Sequence, residues 1–259
     1  MRIVLLLFIL AASMNALGQT PAVVERSIIR HLDAIGRNGT YGGVYDEKKN
    51  DAANERLRAA LIKFGSRADI LKYRFPKLSG KMFIATSPDG RFRAYSWDLE
   101  TGGTMHDFDT VYQFQGKGGK VRTWPSKSAD EDTAGGFFTD IFQVDAAGGP
   151  IYLAVSNFIA SSSLAGQTLS AFKIASDKLV IEPKVIRTAA GLTGSVGFVF
   201  DFFSVVDHPE RPVKLFFYDA NKKEFRFPVV IEDPDVPQGR VTDKFTRYGF
   251  DGKYFVKAG

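Results

Sequence analysis

Three groups of residues in this sequence are of types that could do chemistry. The first is His106-Asp107-Phe108-Asp109. An imidazole beside carboxylates can hold a metal or move a proton. On a strand, successive side chains point to opposite faces. Thr104, His106, Phe108 and Tyr112 then share one face, and Met105, Asp107 and Asp109 share the other. His106 meets a carboxylate only if the stretch turns, so the spacing predicts a hydrogen-bonded His106 at a strand start. The second group is Arg93, Tyr95 and Trp97, which fall on one strand face with Arg91. Rings stack and guanidinium groups donate in a plane, so Arg93, Tyr95, Trp97 and His106 form the expected exposed binding platform. The third is Asp140 and Asp201, each inside an apolar segment rich in Phe and Val. A buried carboxylate is costly unless paired or hydrogen-bonded. Two that converge would hold one raised pKa, as hydrolysis requires.

Other motifs fail on geometry. Ser170-Ala171-Phe172-Lys173 has Ser-x-x-Lys spacing, but on a strand that separation puts Ser170 and Lys173 on opposite faces. Thr193 stands where Gly194-Ser195-Val196-Gly197 would need the first glycine of a nucleophile elbow. A zinc site would need His31, His106 and His208 to converge from distant positions. Asp130-Glu131-Asp132 and Glu232-Asp233-Pro234-Asp235 lack a known calcium-loop spacing and read as solvated acidic loops. Asn38-Gly39-Thr40 fits a glycosylation acceptor. No catalytic residue, metal or cofactor is assigned.

The elements that would place these groups follow from periodicity. Thr20-Pro21 is a helix start, and Val24, Ile28, Leu32 and Ile35 mark one helical face up to Gly36. A second helix begins near Asn50 or Asp51, with Ala53, Leu57, Leu61 and Phe64 as its stripe. From about residue 81 the apolar period drops to two, in segments rich in Phe, Val, Ile, Tyr and Thr. Short links such as Ser87-Pro88-Asp89-Gly90 and Asp251-Gly252 suit antiparallel hairpins. Ser87-Pro88-Asp89-Gly90 also resembles a turn common in propeller proteins.

An internal likeness joins Phe137-Phe138-Thr139-Asp140-Ile141-Phe142-Gln143-Val144 to Phe198-Val199-Phe200-Asp201-Phe202-Phe203-Ser204-Val205. Each leads to a similar second half, at Pro150 and at Pro212, and Phe108–Phe114 is a weaker copy. The expected fold is mainly β: repeated antiparallel hairpins, propeller-like or a large sandwich, after a small helical N-terminal region.

Composition bounds the function. The chain has 259 residues, 44% hydrophobic and 24% charged, enough to bury a core. It holds 23 phenylalanines and no cysteine, which excludes disulfides and thiolate chemistry. Its net charge of +5 is mild and its bases are scattered, which argues against a nucleic-acid partner. Arg2, the apolar run Ile3–Ala12 and Ala16-Leu17-Gly18 read as a signal peptide, residues 1–18. The helical region is then 19–80 and the β domain 81–259. No later stretch reaches the about 18 apolar residues of a membrane span. The expectation is a periplasmic or extracellular, non-catalytic binding protein whose partner is a protein or polysaccharide. The alternative is a hydrolase of an envelope polymer, acting through Asp140 and Asp201 or through His106 with Asp109.

Overall fold

The computed structural model describes residues 18–126, 135–205 and 213–258. The leader assigned to 1–18, the acidic run at 130–132 and His208 therefore fall essentially outside the described residues. Helix α1 (Pro21–Asn38) starts at the Thr20-Pro21 signal and runs through Gly36 to Gly39, whose N–H reaches the Ile35 carbonyl. Helix α2 (Glu47–Gly65) begins a turn earlier than the apolar stripe implies, because Asp46 accepts a hydrogen bond from Lys49 N and caps it. A short helix, α3 (Ala68–Lys72), follows, then a 3-10 turn at Pro76–Leu78.

Fifteen strands follow among the described residues. They are β1 (Phe83–Thr86), β2 (Phe92–Asp98), β3 (Phe108–Gln115), β4 (Val121–Pro125), β5 (Phe137–Val144), β6 (Ile151–Ile159), β7 (Leu164–Ala175) and β8 (Lys178–Ile181). The rest are β9 (Ile186–Thr188), β10 (Gly191–Thr193), β11 (Ser195–Asp201), β12 (Phe217–Asp219), β13 (Glu224–Asp233), β14 (Val236–Phe250) and β15 (Phe255–Lys257). The first sheet has the order β1-β2-β3-β4. The central sheet is β11-β7-β6-β5, with β8 also on β7, and the third is β10-β9-β15-β14-β13-β12.

Alternation along the strands stacks these sheets. Tyr95, Trp97 and Val111 of the first sheet pack on Val24, Ile28, Ile35 and Leu57 of the helices. Phe92, Ala94, Tyr112 and Phe114, from the opposite face, meet Tyr152, Ala154 and Phe172 of the central sheet. Leu153, Val155, Leu169 and Ala171 then face Ile186, Phe225, Tyr248 and Phe255 of the third sheet. The central sheet is thus buried on both faces, which explains its run of apolar residues without clean alternation.

Two expectations are corrected. The sheets are antiparallel except at β15–β9, where Phe255 pairs with Ile186 and Val256 with Arg187 in parallel. β9 and β10 are three residues each, too short for a period to register. The hairpin likeness also divides. β3–β4 and β5–β6 are hairpins, but β11 pairs with β7, and Phe202–Val205 winds into a 3-10 turn. Asp201 causes that difference locally: its carboxylate accepts from Phe203 N, the bond that favours a turn over a strand.

Candidate functional site

The expected platform of Arg93, Tyr95 and Trp97 lies inside the molecule. The three share one face of β2, but that face is covered by the helices, and Tyr95 and Trp97 are each 1% exposed. Trp97 Nε1 donates to Asn54 Oδ1 at 2.9 Å, and the Tyr95 hydroxyl donates to Gln113 Oε1 at 2.7 Å. The Arg93 guanidinium donates to Thr86 Oγ1 at 2.8 Å and to the Tyr73 carbonyl at 2.9 Å, and it lies over the rings of Phe75 and Tyr95. These residues join layers. Period two showed that they share a face; it could not show which element covers it.

His106 does meet a carboxylate, though a different one from the expected Asp109. The stretch turns, and His106 Nδ1 lies 2.6 Å from Asp98 Oδ2. Its ring stacks on Tyr41 at 5.2 Å, with the Tyr41 hydroxyl 3.3 Å from Nε2 and also donating to the Gly103 carbonyl. Asp109 sits apart, under α2, where Arg58 Nε reaches it at 2.6 Å. Burial raises the Asp109 pKa, and the Arg58 guanidinium works against that rise. Burial also raises the Tyr41 hydroxyl pKa, and the negative charges of Asp98 and Glu100 add to it. These contacts of His106 and Tyr41 latch the loop after α1 to the loop after β2. Thr40 strengthens that latch through bonds to the carbonyls of Glu100 and Gly102.

Asp140 and Asp201 do not converge. Asp140 pairs across the central sheet with Val155, then Leu169, then Val196. Asp201 is on the other edge strand and five residues beyond Val196. That separates them by three strand spacings, about 14 Å, and by about 16 Å along the strand. The odd offset also puts them on opposite faces. The paired-carboxylate mechanism is thereby excluded, since such hydrolases keep their acids within about 10 Å.

A cleft of about 760 Å³ opens beside the central sheet. One lip is the segment from Arg74 to Ile84, and the other is Val213–Phe216. Its floor is Phe138, Thr139, Asp140, Val155 and Gln167 of the central sheet. A polar network fixes the geometry. Asn157 Nδ2 donates to Thr139 Oγ1 at 3.1 Å, and Gln167 Nε2 donates to Asn157 Oδ1 at 2.7 Å. Gln167 also donates to the Val213 carbonyl and accepts from Leu215 N, which ties down the second lip. Glu25, buried beneath the first lip, accepts from the Tyr73 hydroxyl and from Lys77 N. Phe75 holds a left-handed backbone, φ 50° and ψ 58°, ahead of Pro76. Such a conformation costs about 1–3 kcal/mol for a bulky residue and persists where its surroundings fix it.

Charge in the cleft sits at its walls. Lys214 Nζ is 3.3 Å from Asp140 Oδ1. Arg74 is exposed and makes no ion pair among the described residues. A second chamber of about 430 Å³ shares Gly80, Phe83, Gln167 and Val213 with the cleft and runs on among Phe137, Phe158 and Phe200. No group of three or more His, Asp or Glu residues among the described residues is gathered as metal ligands are. Of the cleft, only Asp140 stood out in the sequence. Arg74, Gln167 and Lys214 carry no motif, and only the chain's return across the central sheet brings them together. Pro76, at the first position of the 3-10 turn, is a local signal for the first lip.

Comparison of the chain with protein-family models, with curated proteins and with solved structures finds no match.

Proposed function

We propose that this protein is an exported, non-catalytic binding protein of the cell envelope or extracellular space, and that it holds its partner in the cleft between Arg74–Ile84 and Val213–Phe216. The export reading rests on the leader at Arg2, Ile3–Ala12 and Ala16-Leu17-Gly18. The binding reading rests on one observation: a cleft of about 760 Å³, lined about equally by polar and apolar surface, whose polar groups are held by a fixed hydrogen-bond network. Binding sites are concave and pre-formed in this way, with a few fixed polar groups that orient the ligand. A strained Phe75 at the rim adds support, since strain persists at functional sites. Among the described residues that line the cleft, no hydroxyl nucleophile is hydrogen-bonded to a base, which favours binding over hydrolysis there. The opening suits a protein segment or a polysaccharide stretch. The stacking of three sheets also favours a layered sandwich over a propeller as the architecture.

The amphipathic probe 8-anilinonaphthalene-1-sulfonate tests the cleft, because its rings suit the phenylalanines and its sulfonate suits Arg74 and Lys214. The native chain should bind one equivalent. Ser79→Trp, which fills the opening from an exposed position, should abolish binding without lowering the melting temperature. Lys214→Ala should weaken it several-fold. Unchanged binding in Ser79→Trp would count against the cleft as the site.

A further inference from the structure

The outer face of the third sheet carries a second feature, independent of the cleft. Across β12, β13 and β14, Phe217 pairs with Arg226 and Arg226 with Arg247. Like charges directly opposite each other on a sheet repel. Neither guanidinium has an ion pair or hydrogen bond among the described residues. Arg226 is held between two rings, 5.3 Å from the centroid of Phe217 and 4.8 Å from that of Phe245. Its fork is therefore oriented before any partner arrives, which lowers the cost of binding. A depression of about 280 Å³ lies beside the pair, lined by Lys222, Arg226 and Arg247 with Asp219 and Glu224. Asp219 is committed to its own turn, accepting from Asn221 N and Lys222 N. Glu224 makes no ion pair with either arginine.

A second cationic station lies on the same face. Arg187 is 4.9 Å from the Tyr254 ring centroid, with Lys253 on that ring at 5.0 Å. Arg187 pairs with Val256 and Val256 with Gly249, two residues from Arg247. Two strand spacings and two residues put the stations about 12 Å apart. Asp251 lies near Arg187, but its carboxylate is bonded to the amides of Lys253 and Tyr254.

We propose that the Arg226–Arg247 pair and Arg187 form a docking surface for an anionic polysaccharide. The two stations take successive acid groups of one chain. Guanidinium forks match carboxylate and phosphate oxygens. An oxyanion between Arg226 and Arg247 turns their repulsion into attraction. A separation of about 12 Å between the stations suits a chain with neutral rings between its acids. It disfavours nucleic acid, which is charged at every residue. Two modest contacts on one chain reinforce each other.

The test is binding of the full chain to hyaluronan, which carries a carboxylate on alternate rings, with dextran and duplex DNA as comparators. Hyaluronan should bind, weaken as salt rises, and exceed both comparators. Arg226→Gln and Arg247→Gln should each weaken it at least ten-fold, and Arg187→Gln several-fold. Lys63→Gln, on α2, and Ser79→Trp, in the cleft, should leave it unchanged, which separates this surface from the cleft reading. Circular dichroism melts confirm folding of each variant. Equal binding of DNA or dextran, or full binding by the Arg226→Gln and Arg247→Gln variants, would overturn the proposal.

Discussion

Trp97 fills the space between α2 and the first sheet, and its indole N–H is paired with Asn54. Truncation would leave both a cavity and an unpaired amide oxygen. Trp97→Ala should therefore cost about 3–5 kcal/mol in urea unfolding, while 8-anilinonaphthalene-1-sulfonate binding by the folded fraction stays intact. Loss of binding with unchanged stability would restore Trp97 to a surface role. Glu100 gives a second residue-level outcome. Burial, then the charge of Asp98, raises its pKa, and its Oε2 is buried without a hydrogen bond. An acid whose folded pKa is raised destabilises the fold when ionised. That cost is absent below its ordinary value of 4.5 and complete above the folded pKa. Glu100→Gln should thus raise the melting temperature at pH 7 and have little effect at pH 4. A benefit that persists at pH 4 would contradict the charge argument.

At the scale of elements, the central sheet is most tightly constrained at Gly166 of β7. A Cβ there would lie 2.2 Å from the Phe158 ring and 3.0 Å from the Phe198 carbonyl oxygen. Gly166→Ala should cost about 1–3 kcal/mol by overpacking, readable as a lowered urea midpoint. A neutral result would mean that β6 and β11 approach β7 less closely than described. The helices and most strands were legible in the sequence because their apolar periods are long and clean, as in Val24, Ile28, Leu32 and Ile35. β9 and β10 were not, being three residues each. The second hairpin copy misled because the likeness to Phe137–Val144 is one of composition. In β11 the shared Asp stands at the strand end, where it caps a turn, while in β5 it stands mid-strand.

For the whole molecule, four layers are stacked: helices, first sheet, central sheet and third sheet. This order explains why the sequence pointed to the wrong binding face. A strand in a two-faced sheet shows only which residues go together. Burial is decided by what lies above and below, and that is a property of chain topology. The cleft likewise exists because Val213–Phe216 returns across the central sheet to face the Arg74–Ile84 segment. Asp140 was visible beforehand as an acid in an apolar strand, but its partner Lys214, 74 residues away, was not. The layering also predicts that removing residues 18–80 uncovers Tyr95, Trp97 and Val111 together. A chain beginning at residue 81 should aggregate at concentrations where the full chain stays monodisperse by light scattering, because large exposed apolar patches associate. A monodisperse, folded truncation would show that the helices are dispensable to the stack.

The central claim, that the cleft receives the partner, is tested most directly by mapping amide NMR shifts while 8-anilinonaphthalene-1-sulfonate is titrated into the isotope-labelled chain. The account predicts the largest changes at Phe83, Thr139, Asp140, Lys214 and Phe216. Changes centred on His106 and Tyr41, or no localised change at all, would contradict it.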